Sequence, residues 1–103
     1  MSTKQATKKQ YPISADEERL STMMKALGHP ARMMIIRYLS ENPSCFTGDI
    51  VEVLPLVQST VSQHLKVLSE AGLVAGTVEG PATCYCLNDE NIAWFKRQVG
   101  MVL

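Results

Sequence analysis

A chain of 103 residues with 46% apolar side chains has enough core for one globular domain and too much apolar content for a disordered segment. Its apolar runs are short, as at Met33 to Ile36 and Val53 to Val57, so none can span a bilayer. Ten basic residues cancel ten acidic ones, so net charge gives a nucleic-acid partner no support.

The start, MSTKQATKKQ, is basic but lacks the apolar stretch of a secretory signal, and the chain is expected to stay in the cytoplasm. Three cysteines, an odd number without an export signal, are expected as reduced thiols and not as a disulfide framework. Positive charge is unevenly placed. Lys4, Lys8 and Lys9 form one group, and Arg32 and Arg37 lie in a stretch, Gly28 to Ser40, without an acidic residue.

Residues 1 to 12 lack periodicity and read as a flexible basic arm, leaving 13 to 103 as one domain. Ser14 and Glu17 have the spacing of a capping box, and Leu20, Met23, Met24 and Leu27 then form one helical stripe. Gly28 suits a C-terminal cap in the left-handed conformation, and Pro30 suits the first turn of a second helix. That helix carries Met33, Ile35, Ile36 and Leu39 and stops at Asn42-Pro43. Thr47 is the expected cap of a third helix, with Asp49 in its first turn and Ile50, Val53 and Leu54 as its apolar face.

Pro55 ends that helix, and a fourth is expected from about Gln58 to Ala71, closed by Gly72, with the stripe Val61, Leu65 and Leu68. Two apolar segments, Leu73 to Val78 and Ala82 to Leu87, flank Glu79-Gly80-Pro81 and read as a β-hairpin. Asn88 can cap a last helix with Ile92, Phe95, Val99 and Val102 along one side. The fold class is thus mainly α with a small β-hairpin (α+β).

Two helices joined by three residues, the second polar on its outward face, have the helix-turn-helix arrangement, here at about residues 48 to 72. With Val61, Leu65 and Leu68 turned inward, Ser59, Ser62, Gln63 and Lys66 point outward, with Gln58 and Thr60 near the helix start. Gln63 or Gln58 suits bidentate pairing with adenine, the serines can donate or accept, and Lys66 can reach a phosphate. Any solvated helix face is polar, so composition alone does not decide for DNA; the order of the residues does.

Leu27-Gly-His-Pro-Ala-Arg32 followed by Ile35, Ile36 and Leu39 resembles the opening of the ArsR/SmtB family of winged-helix repressors. Ser59-Thr-Val-Ser-Gln-His-Leu65 and Leu68-Ser-Glu-Ala-Gly-Leu-Val74 resemble its recognition helix and exit into the wing, with Cys84-Tyr-Cys-Leu-Asn88 in place of the second wing strand. The resemblance covers about residues 17 to 100. It implies a winged helix-turn-helix, a DNA-binding transcriptional repressor, and a homodimer through the first and last helices. The residues for that interface are Leu20, Met23, Met24, Leu27, Ile92, Phe95, Val99 and Val102. A two-fold dimer would read pseudo-palindromic double-stranded operator DNA in successive major grooves. The interhelical turn is Pro-Leu-Val where such turns often hold glycine, and the wing tip carries Glu79 where family wings are basic. DNA binding is therefore expected to rest on the recognition helix and the lysine arm.

Neither histidine belongs to a cluster with metal-ligand spacing. His29 falls at a helix junction, where it is expected to help cap the second helix, and His64 is expected at a phosphate or packed at the DNA-facing edge. The last helix has no histidine, which argues against the zinc site that many members of the resembled family carry there. Cys84 and Cys86 lie two apart on the expected second hairpin strand, on one face, with Cα atoms roughly 6.6 Å apart. In the sheet of the resembled family, the short strand before the third helix pairs with this one, so Cys45 would complete a three-thiolate site. Such a site would suit As(III) or a soft metal ion as effector, with no cofactor needed for the fold. A thiol-redox or sulfur response, and cysteines that merely fill space, remain open beside it.

A winged helix used for protein contacts is the rival class, favoured by the neutral charge and the acidic wing tip. An enzyme is not expected, because no glycine-rich phosphate loop, carboxylate pair or thiol–base pairing is present.

Overall fold

A computed structural model describes residues 11 to 43 and 45 to 103, and for Cys45 the backbone alone. The elements are α1 (Ala15–Leu27), α2 (Pro30–Glu41), β1 (Cys45–Phe46), α3 (Thr47–Val53), α4 (Gln58–Glu70), β2 (Val74–Glu79), β3 (Ala82–Leu87) and α5 (Asp89–Val102). Most of the expected arm, positions 1 to 10 with its three lysines, lies outside the described residues.

Local chemistry sets most boundaries. The Ser14 hydroxyl accepts from the Glu17 amide at 3.1 Å, and the Glu17 carboxylate accepts from the Ser14 amide at 2.9 Å. Two amides left without partners at the start of α1 are thereby satisfied. The His29 ring caps α2 by accepting from the Ala31 amide through Nδ1 at 3.0 Å, with Pro30 in the first turn. The Asn88 side chain caps α5 by accepting from the Asn91 amide at 3.0 Å.

Two caps differ from expectation. Gly28 has φ −80°, outside the left-handed region; Gly72, which closes α4, is the residue that uses it, at φ +81°. Thr47 is the first residue of α3 and not its cap. Phe46 holds the cap position because β1 keeps the chain extended up to it, and Asp49 reaches back to accept from the Phe46 amide at 3.1 Å. Leu54 has φ −91° and ψ 147°, the extended conformation that Pro55 imposes on its predecessor, and α3 ends there.

The three strands form an antiparallel sheet in the order β1-β3-β2. Gly80, at φ +63°, starts the two-residue tip of the β2–β3 hairpin. Gly76 lies opposite Tyr85, and a Cβ at Gly76 would stand 2.9 Å from the tyrosine ring. That ring is packed against the core, so the glycine leaves the space the ring occupies.

Val61, Leu65 and Leu68 of α4 are fully buried among Met23, Ile35, Leu39, Ile50 and Leu73, so α4 is the centre of the core. Val53, expected on the buried face of α3, is 58% exposed. The helix is too short for more than Ile50 to reach the centre.

The interface residues expected on α1 divide. Met23 is fully buried and Leu20 nearly so, both within the chain itself. Surface on α1 for a partner therefore comes from Met24, 38% exposed, with Leu27 half-buried. α5 has no fully buried residue. Its Ile92 and Phe95 rest against the core, Val99 is half-buried, and Val102 is exposed.

Candidate nucleic-acid interface

The burial of Val61, Leu65 and Leu68 fixes the rotation of α4, and with it the residues turned to solvent. Gln58, Ser59, Ser62, Gln63 and Lys66 are exposed, and Thr60 and His64 are half-buried at the margins of that face. Val57, the N-cap, has no side chain able to accept a hydrogen bond, so the first amides of α4 have no side-chain cap. Those N–H groups and the positive end of the helix suit a phosphate oxygen. A polar ridge of amide and hydroxyl side chains on a rigid, core-anchored helix is what direct readout of base edges requires.

His64 is tied into the protein. Its Nδ1 accepts from Arg32 Nε at 3.4 Å, and its ring lies 4.5 Å from that of His29, tilted by 51°. Arg32 also donates through Nη1 to the carbonyl of Ala26 at 3.1 Å. Burial, then the nearby charges of His29 and Arg32, hold the His64 pKa below its ordinary value. The sequence marked Arg32 only as part of a basic stretch and of the family resemblance; its contact to His64, 32 positions away, leaves no local signal.

A second polar chain was equally invisible. Arg19 lies 3.9 Å from the centre of the Trp94 ring and donates to the Asn91 side chain at 2.9 Å. Asn91 in turn donates to the carbonyl of Gly72 at 2.9 Å. One asparagine thus links α1, α5 and the turn that closes α4.

The cysteines come together only in part. Cys84 and Cys86 are both half-buried on β3. The register pairs Cys45 with Tyr85 and Phe46 with Cys84. The backbone of Cys45 is thus paired with Tyr85, and Phe46 holds the place opposite Cys84. Cys84 and Cys86 are the two thiols whose side chains lie among the described residues. Among the described residues, no group of three or more His, Cys, Asp or Glu side chains could hold a metal ion; the Cys45 side chain lies outside them. No helix among the described residues is long and apolar enough to cross a membrane.

A short helix, a tight turn, a polar-faced helix anchored in the core and a β-hairpin behind it define a winged helix-turn-helix of the DNA-binding kind. Residues 29–75 match the family model described as the bacterial regulatory protein, arsR family. The chain belongs to the ArsR family of transcriptional regulators. It is 36% identical over 75 residues to an uncharacterized HTH-type transcriptional regulator of Methanocaldococcus jannaschii, covering 73% of this chain and 84% of that one. It is 38% identical over 71 residues to the HTH-type transcriptional repressor SmtB of Mycobacterium tuberculosis, covering 69% of this chain and 52% of SmtB, so it spans about half of that relative. Among solved structures, it resembles a homodimeric winged helix-turn-helix DNA-binding domain from Mycobacterium bovis, with a TM-score of 0.69 and 25% identity over 82% of this chain and 78% of that one.

Proposed function

We propose that the protein is a homodimeric repressor that binds a pseudo-palindromic operator through α4 and is released by an effector at its thiols. The observation that carries the DNA-reading part is the exposed row Gln58, Ser59, Ser62, Gln63 and Lys66 on a helix whose opposite side is fully buried. Dimerisation through α1 and α5 is supported by the exposed Met24 and Val102, the half-buried Leu27 and Val99, and a small cleft of about 180 Å³ lined by Leu27, Met33, Ile92 and Phe95. The solved Mycobacterium bovis relative is itself homodimeric. In this reading the protein works in the cytoplasm and has no catalytic role.

Cys84 and Cys86 are the thiols placed to act together. They sit two apart on one strand, with Cα atoms roughly 6.6 Å apart, wide for a disulfide but within reach of a soft ion bound at about 2.3 Å from each sulfur. As(III) or another thiophilic ion is the effector class this pair suits. The relative SmtB is a transcriptional repressor of the same family.

The test is a fluorescence-anisotropy titration of reduced protein onto labelled duplex from upstream of its own gene. A dimer touching about six phosphates loses roughly a thousandfold in affinity between about 50 and 200 mM salt. A flat salt response contradicts DNA binding. Arsenite is then added to the complex. Release that disappears in Cys84→Ser and Cys86→Ser and persists in Cys45→Ser is expected. Release by oxidants alone would assign a redox response instead.

A further inference from the structure

Both histidines of the chain meet at one place, where α4 rests on the start of α2. Each uses Nδ1 as an acceptor: His29 from the Ala31 amide at 3.0 Å, and His64 from Arg32 Nε at 3.4 Å. An imidazole that accepts at Nδ1 is neutral, with its proton on Nε2. Arg32 joins three elements at once, since its Nη1 holds the last turn of α1 at the Ala26 carbonyl. His64 lies between Gln63 and Lys66 along α4, at the margin of the exposed face, so the Arg32 contact ties that margin to α1 and α2.

We propose that Arg32, His64 and His29 form a latch that positions the recognition helix, with His64 serving as an acceptor for Arg32 and not as a contact to DNA. This rests on the reading of α4 as the DNA-binding helix. A proton added at His64 Nδ1 turns the acceptor into a donor facing another donor, and sets a cation against Arg32 and the adjacent His29 ring. Of the other charged groups near the latch, Lys25 of α1 and Glu70 of α4 line the same cavity as Arg32; they are opposite in sign, and neither is hydrogen-bonded to His64. The lowered pKa of His64 agrees in direction with a ring held neutral by its surroundings. The sign of the pH effect then separates two roles. A histidine touching phosphate binds DNA better when protonated; the latch binds DNA worse.

The experiment measures operator affinity of the full chain by anisotropy at constant salt, from about pH 7.5 to about pH 5.5, the range in which histidine titrates. The native protein is expected to lose about tenfold in affinity on acidification, well inside the ceiling of about a hundredfold for each linked proton across two pH units. His64→Gln, whose amide oxygen can still accept from Arg32 but cannot titrate, is expected to give a nearly flat profile. Arg32→Met is expected to bind weakly at both ends, with circular dichroism confirming that it remains folded. Tighter native binding in acid, or a His64→Gln profile as steep as the native one, overturns the latch while leaving α4 as the DNA-binding helix. No binding by the native protein at any pH overturns both.

Discussion

Leu65→Ala is expected to remove about 3 kcal/mol of folding stability, within the range for leucine truncations in well-packed cores. Leu65 is fully buried on α4 and shares its cluster with helices α1, α2 and α3. A cavity at that point opens between elements that meet from several sides, so it cannot collapse by moving one of them. For a domain of this size the loss corresponds to a fall in Tm of roughly 12 °C or more. Urea denaturation at fixed protein concentration measures it, the fixed concentration being needed because dimerisation links stability to concentration. A loss below about 1 kcal/mol would mean that α4 is not the centre of the core.

Gln63→Ala is expected to do the opposite. Its side chain is exposed, so stability should stay within about 0.5 kcal/mol of the native value. Operator affinity should fall steeply. A good amide-to-base pair is worth about 1–3 kcal/mol, and a dimer loses two, which makes the expected effect roughly thirtyfold or greater. Binding to unrelated duplex should hardly change, because that term comes from phosphate contacts. Equal losses on operator and unrelated DNA would assign Gln63 to backbone contact and move base readout to Gln58, Ser59 or Ser62. The two variants separate the two sides of one helix, one holding the fold and the other reading the groove.

What the sequence showed of this molecule was what depends on neighbours within a turn or two. The Ser14–Glu17 capping box, the Asn88 cap, the inward row Val61, Leu65 and Leu68 and the hairpin turn at Gly80 all rest on local spacing, and each is present. The outward row of α4 followed from the inward one, since a helix has a single rotational freedom once its buried side is known.

The differences arise where long-range pairing decides. Periodicity placed Met23 on a stripe but could not say whether the chain's own core or a second copy would cover it; the core does. The relation of Cys45 to Cys84 and Cys86 turned on register, where a slip of one residue exchanges the faces of a strand. That register sets the Cys45 backbone opposite Tyr85 and not opposite either cysteine of β3. Thr47 looked like a cap because the pairing of Phe46 with Cys84 is not visible locally. Arg32 with His64, and Asn91 with Gly72, join residues distant in sequence by side-chain hydrogen bonds. Neither pair lies on a periodic stripe.

That the outward face of α4 reads DNA is tested most directly by mapping amide chemical shifts of the isotopically labelled protein as operator duplex is added. The expected result is a continuous set of perturbed amides from Val57 to Lys66, strongest at Gln58, Ser59, Ser62 and Gln63, with little change at the β2–β3 tip around Glu79 and Gly80. Perturbation confined to that tip or to α5, with α4 unmoved, would contradict the assignment of α4 as the DNA-reading helix.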